Sequence, residues 1–363
     1  MGIAYYAGID LGTMHTAVAG SNGIRRVTAS AVGRPKDALA QKLLGKDLFF
    51  GEELARHQQS LVVQRPFECG HLKYGDWDSL DSADAVRASF ESARALLQHA
   101  VGLLEFPPSA KLCCVLGAPA QATLKNKRAL LSIAESVAEC VLLVSEPFVV
   151  GFSLESPLAP ALIVDIGAGT TDVCFYYGAF PNANDQITIA YGGDHVDRDF
   201  QERVAAEFPE ALFSLGTARR VKEKCGFVGS ADQPVQVRLP VRQGPPQVFD
   251  LTSPLEQACR KLADQVVQGL LAVVSQIDYE QHASVLANIV LSGGGGQLRG
   301  LDKYIESTLR EYGHINVTRL YDSAFAGANG ALRLAMHLPE TMWQSLKQET
   351  TASVVDGLRR SAA

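Results

Sequence analysis

Two stretches of the chain repeat one another: Asp10-Leu-Gly-Thr-Met-His-Thr16 and Asp165-Ile-Gly-Ala-Gly-Thr-Thr171. Each follows an apolar run, Ala4–Ile9 and Ala161–Val164, and each is followed by a second apolar run. Both read as a strand, an Asp-apolar-Gly-x-x-x-Thr turn and a returning strand. The copies lie about one domain length apart, so the economical picture is two related α/β domains. One copy alone would pass for an ordinary β-turn with a glycine at positive φ. Two copies, each behind an apolar strand, make that reading a poor one.

The repeated turn suits a polyphosphate. A tight glycine-containing hairpin turns consecutive backbone N–H groups towards one point and forms an anion nest. Thr13, Thr170 and Thr171 add hydroxyl donors. Asp10 and Asp165 close the strands at the loop mouths, where a carboxylate would repel phosphate unless a cation stood between them. Each aspartate therefore implies Mg²⁺ held through water. A third glycine cluster, Ser292-Gly-Gly-Gly-Gly-Gln-Leu-Arg-Gly300, follows a buried strand and opens a helix, so a flat ring could approach its backbone. Taken alone such a run is weak evidence. Glu146 sits at the end of the apolar run Val141–Val144. It reads either as a helix-start residue before Pro147 or a surface ion-pair partner, or as a base or water-orienting group for attack on a terminal phosphate.

Composition narrows the classes. With 363 residues the chain has room for two or three domains and an ample core. Lys and Arg number 33 against 39 Asp and Glu, a net charge of −6, which argues against a protein built to coat nucleic acid or anionic lipid. No run of about 18 apolar residues occurs, so no membrane-spanning helix is expected. The first residues, MGIAYYAGID, lack a charged segment followed by a cleavable apolar one, so secretion is not expected. The seven cysteines (69, 113, 114, 140, 174, 225 and 259) form no Cys-x-x-Cys pair and read as buried free thiols. The eight histidines show no zinc-ligand spacing.

Periodicity supplies the rest of the outline. Strands are expected at 4–10, 16–20, 112–116, 141–144, 161–166, 173–177, 186–190 and 288–292. Helices are expected at 38–44, 52–59, 82–104, 126–139, 197–207, 254–277 and from Leu301. Residues 229–251 read as a small β-rich excursion, and the small, polar residues after Gln348 as a frayed tail.

At this point the residues resemble the actin, Hsp70 and sugar-kinase superfamily, and within it the bacterial actins. The two Asp-x-Gly loops, Ser145-Glu146-Pro147 and Leu291-Ser-Gly-Gly-Gly-Gly-Gln-Leu-Arg-Gly300 look like its phosphate, connecting and adenosine motifs, in the expected order. The stretches 32–37, 42–45, 144–148, 163–172, 221–223, 227–229 and 330–335 are most similar to the magnetosome-associated bacterial actins. The resemblance implies an α/β, actin-like (ribonuclease H-like) duplicated fold with a nucleotide cleft between the domains. Its expected boundaries are domain I at 1–152 with a small insertion at about 33–78, and domain II at 153–322 with an insertion at about 192–250. C-terminal helices at 323–347 would return to domain I, before a flexible tail at 348–363.

The resemblance also implies ATP or ADP with Mg²⁺ as cofactors. Asp10 and Asp165 would organise the metal and its water, with Glu146 and Asp165 in the catalytic roles. Gly12, Thr13, Met14, His15, Gly167, Gly169, Thr170 and Thr171 would hold phosphates. Gly193 and Lys222 would lie near the ribose or base, and Gly293, Gly294, Gly295 and Leu298 near the adenosine. Two positions depart from the pattern. Met14 fills a place where relatives carry a small residue, and Arg219 stands where MreB-like relatives have a ribose-binding glutamate. The implied activity is ATP hydrolysis coupled to head-to-tail self-assembly into a cytoplasmic filament that positions magnetosomes. Partners would be further copies of the chain and magnetosome-associated proteins, with no nucleic acid and no direct membrane insertion. A small-molecule kinase on the same fold, and an MreB-like or plasmid-segregating filament, stay open at this stage.

Overall fold

The computed structural model describes residues 4–68, 71–72, 83–156 and 159–347. Cys69, part of the expected insertion at 33–78 and the tail expected after Gln348 lie outside the described residues. Contacts divide the chain into two units, one running to Glu155 and resuming at Ala324, the other spanning Ser156–Ser323.

The first unit holds β1 (Ala4–Leu11), β2 (His15–Gly20), β3 (Arg25–Ala29), β4 (Val32–Pro35), α1 (Ala38–Leu44), α2 (Gly51–His57), β5 (Leu61–Gln64), β6 (Phe67–Glu68), β7 (His71–Leu72), α3 (Ala83–Gly102), β8 (Lys111–Ala118), α4 (Leu124–Ala134), β9 (Cys140–Ser145) and α5 (Glu146–Phe152). Its main sheet runs β3-β2-β1-β8-β9. Short turns make β1 antiparallel to β2 and β2 to β3, whereas β8 and β9 arrive through α3 and α4 and lie parallel. α3 earns its place through a stripe of Ala93, Leu96, Leu97, Ala100 and Leu104, all wholly buried against the sheet.

The second unit repeats this plan with β10 (Ala161–Ile166), β11 (Thr171–Tyr176), β12 (Gln186–Ile189), α6 (Gly193–Glu207), α7 (Leu215–Cys225), β13 (Gln236–Leu239), β14 (Gln247–Asp250), α8 (Thr252–Val274), α9 (Tyr279–Leu286), β15 (Ile289–Ser292), α10 (Leu301–Leu309) and β16 (Val317–Arg319). Its sheet runs β12-β11-β10-β15-β16, strand for strand the order and polarity of the first. β13 and β14 form a separate hairpin, the β-rich excursion expected at 229–251. α8 buries Leu255, Cys259, Leu262, Val266, Leu270 and Val273 at helical spacing. α11 (Ser323–His337) belongs from Ala324 onward to the first unit, and residues 340–347 are again helical.

Several elements depart from expectation. α4 begins at Leu124 because Thr123 caps it, its hydroxyl accepting from the Asn126 N–H at 3.2 Å. It ends at Ala134 rather than Glu139. α6 begins at Gly193, four residues ahead of the expected start. There the His195 Nδ1 accepts from the Gly192 N–H at 3.2 Å. α7 was not expected, although Leu215, Ala218, Val221 and Cys225 recur along it at helical spacing; only Ala218 is buried. Its start is fixed by Ser214, whose hydroxyl accepts from the Thr217 N–H. The six described cysteines are free thiols, five of them buried, and burial pushes Cys113 and Cys259 up to about 12.

α11 packs on α5 at closest approach: a Cβ on Gly330 would lie 1.6 Å from the Val149 carbonyl oxygen. Neighbouring Arg333 locks the contact, donating from Nη1 to the Leu154 carbonyl at 2.6 Å. Gly330→Ala is therefore expected to push the helices apart and cost about 3 kcal/mol. Urea melts should show a lowered midpoint with an unchanged slope.

Candidate functional site

The first Asp-x-Gly loop is the β1–β2 turn. Asp10 pairs with Ala17 across it, and Gly12, Thr13 and Met14 make the bend, with exposed His15 opening β2. Thr13 is buried and Met14 half-buried. The motif's last threonine does not face a ligand. Thr16 is wholly buried and its Oγ1 lies 2.9 Å from the Ser30 Oγ, which in turn donates to the Gly12 carbonyl at 2.6 Å. The Ser30 N–H also donates to the Met14 carbonyl at 2.9 Å. Ser30, just past β3, thus braces the whole turn.

Asp10 stands half-buried at the end of β1, and burial pushes its carboxyl up to about 6. Gly327 makes room for it. A Cβ on Gly327 of α11 would lie 2.4 Å from the Asp10 Oδ2, so only the bare backbone fits there. On the next strand Asp10 is in register with Gly117, and a Cβ at Gly117 would lie 3.2 Å from the Glu146 Cγ. Glu146 is the first residue of α5, directly after β9, with Pro147 behind it. Its Cγ lies over Gly117, the residue in register with Asp10, and as the first residue of α5 it matches the helix-start reading.

The second loop, between β10 and β11, is tighter. The Gly167 N–H donates to the Thr170 carbonyl at 2.9 Å; Gly167 is exposed, while Gly169 and Thr170 are buried. The Gly193 and Asp194 N–H groups at the start of α6 donate to the Gly167 and Ala168 carbonyls at 3.0 and 2.8 Å. Thr171 needs a correction. It was expected among the phosphate donors, but it is wholly buried and its hydroxyl donates to the Tyr191 carbonyl at 2.7 Å. It braces the loop against the segment after β12, as Thr16 does through Ser30. Asp165 lies in register with Ser292, and a Cβ on Gly293 (φ +72°) would lie 2.8 Å from the Asp165 Oδ1. Both repeated aspartates are thus hemmed in by glycine.

Lys222 and Arg219 are anchored rather than open. Asp197, wholly buried on α6, receives the Lys222 Nζ at 2.7 Å on Oδ1 and the Arg219 Nε at 2.8 Å on Oδ2. Lys222 also donates to the Gly193 carbonyl at 2.8 Å, and Arg219 reaches Asp194 at 2.7 Å. Arg219 therefore serves to fasten α7 to α6. The glycine cluster is clamped to the end of α7. Arg299 donates to the Cys225 carbonyl at 3.0 Å, and the Leu298 Cδ1 lies 2.9 Å from a Cβ position on Gly226. This brings Lys222, Gly226, Gly295 and Leu298 onto one side of the second unit. Gly294 is exposed, with nothing within 4 Å of a Cβ position, which leaves its face open to a flat ring.

The donor set fits a magnesium nucleotide. Asp10 is a carboxylate raised by burial alone, the situation a nearby cation relieves. The Oγ atoms of Ser145 and Ser292, at the ends of β9 and β15, are buried without a hydrogen-bond partner, an arrangement that calls for a polar ligand or water. Sequence reasoning missed Ser30, Gly117, Asp197, Arg299 and Gly327. Only the small-residue run at 326–331 carried a signal, and it pointed to close packing rather than to Asp10.

Comparison with known proteins identifies the family. The sequence model of the MreB/Mbl protein family matches residues 5–340. The actin-like protein MamK of Paramagnetospirillum magneticum is 38% identical over 341 residues, covering 94% of this chain and 95% of that protein. A solved MamK double helical filament is 38% identical with a TM-score of 0.86, covering 93% of this chain and 100% of its own. A non-polymerising MamK mutant bound to AMPPNP is 37% identical with a TM-score of 0.71, covering 92% and 99%. Coverage on both sides is nearly complete, and the paired five-stranded sheets carry the actin-like fold. The chain belongs to the MreB/Mbl family of actin-like proteins.

Proposed function

We propose that this chain is an ATPase that assembles head to tail with its own copies into a filament and positions magnetosomes. The observation that carries this reading is the repeated loop whose aspartate is held at a strand end against glycine, once with Glu146 beside it. Similarity to a MamK filament, and to a MamK form bound to AMPPNP, supports the assembly and the nucleotide. When bound, Mg-ATP supplies the phosphoanhydride that is cleaved. Asp10 and Asp165 would hold Mg²⁺ through water. Gly12, Thr13, Met14, His15, Gly167, Gly169 and Thr170 would present donors to the phosphates. Glu146 would orient the attacking water and accept its proton. Gly193, Gly293, Gly294, Gly295 and Leu298 would line the nucleoside, with Lys222 fixing the backbone of Gly193 beside it. A contact between unlike faces does not close on itself, so repeated addition gives a filament.

The assembly reading is tested by sedimentation. With Mg-ATP the chain should pellet above a critical concentration, and failure to pellet at any concentration would count against it. Glu146→Ala should still pellet, while phosphate release falls on the order of a hundredfold or more. Unchanged release would leave Glu146 only its place at the start of α5.

Asp10 adds a pH dependence. Its folded-state pKa is raised, so without a cation the ionised carboxylate costs stability, in full above about pH 6 and not at all below about 4. Mg²⁺ favours the ionised form, so protons compete with it as the pH falls through about 6. Calorimetry should show Mg-nucleotide affinity dropping up to about tenfold per pH unit below that point. Asp10→Asn should bind weakly and lose the slope, and it should melt at a higher temperature than the parent at pH 8 without metal.

A further inference from the structure

The first loop is met by a cation from outside the motif. Arg65, between β5 and β6, donates from Nη1 to the Met14 Sδ at 3.4 Å. The residues on both sides of Arg65 are pinned to α3. On one side the Ser92 Oγ donates to the Gln64 Oε1 at 2.7 Å and accepts from the Arg34 Nη1 at 2.7 Å. On the other the Ser89 Oγ donates to the Pro66 carbonyl at 3.3 Å. Ser89 and Ser92 are almost wholly buried, so this is a rigid mount. It delivers a half-buried guanidinium onto the turn that joins the Asp10 strand to β2.

A thioether is a weak acceptor. Phosphate oxygens are far better partners for a guanidinium, which binds them through two parallel N–H groups. Met14 therefore holds Arg65 beside the loop in a contact that phosphate would outcompete. Side-chain reach also matters: Arg65 is mounted on the stretch between β5 and α3, not on the loop, so it can approach a phosphate from a different side than the loop's own N–H groups.

We propose that Arg65 reads the terminal phosphate of the bound nucleotide, leaving the Met14 thioether for the phosphate oxygens. This rests on the nucleotide reading above and adds a residue that discriminates triphosphate from diphosphate. It also ties the segment between β4 and α3 to the state of the nucleotide, because the residues that flank Arg65 are fixed to that segment and to α3.

Calorimetric titration of the full chain with Mg-ATP and with Mg-ADP tests the assignment. Arg65→Gln should weaken Mg-ATP roughly 10- to 100-fold, the range for a lost hydrogen-bonded charge contact, and Mg-ADP by no more than about twofold. Retained Mg-ADP binding serves as the control for folding. If Arg65→Gln fails that control, Arg65→Lys is read the same way, with a smaller but still ATP-selective loss expected. Equal losses for both nucleotides, or no loss for either, overturn the role of Arg65. Absence of any nucleotide binding by the parent chain overturns the parent reading instead, so the two failures are distinct.

Discussion

Two carboxylates must stand half-buried at strand ends without being crowded out, and much of each unit is arranged to permit it. At Asp10 the permission comes from Gly327, where a side chain would collide with the carboxylate. At Asp165 it comes from Gly293, held in the left-handed region where a side chain would be strained. Burying a charge this way is unfavourable by itself, and the raised Asp10 carboxyl records the cost.

The halves share a plan but have diverged where the chemistry differs. Asp10 faces Gly117 in register and Asp165 faces Ser292. In the first unit the space over Gly117 is taken by Glu146, which α5 delivers at its first residue. In the second unit the chain after Ser292 runs into glycines and a short turn, giving a bare backbone face instead of an acid. Beside the matching strand position, one half therefore places the Glu146 side chain and the other leaves bare backbone. Duplication explains the sheets, but Glu146 enters from the end of the fifth strand, β9, whereas the glycines directly follow the fourth, β15.

The sheets and the loops were legible in the amino-acid sequence for a simple reason: both are local. A buried strand ending in Asp-x-Gly and a helix with an apolar stripe each write their signal within ten or twenty residues. The Asp10, Glu146 and glycine-cluster positions were found this way, and the actin-like fold followed from their order. What was not legible depends on partners far away in the chain. Gly327 matters because of Asp10, Ser30 because of Gly12, and Asp197 because two cations from α7 meet it. Thr171 shows the opposite error. Its place in the motif suggested a phosphate donor, yet the matching threonine of the other loop is also turned inward, so the motif's last residue is a brace in both copies. α7 was passed over because its apolar stripe, Leu215, Ala218, Val221 and Cys225, is thin and set among five charged residues.

The braces say how a ligand at the loops would be felt elsewhere. Neither loop is held by its own residues alone. Loop one is tied by Ser30 to the chain that enters β4 and is touched by Arg65 from the chain that leaves β5. Loop two is tied by two N–H groups to the first turn of α6, which is fastened through Asp197 to α7. Both attachments lead into the stretches that interrupt the repeated sheet plan, between β3 and α3 in one unit and after β12 in the other. A backbone shift of a few tenths of an ångström at either loop must lengthen these short hydrogen bonds or carry the attached segment with it.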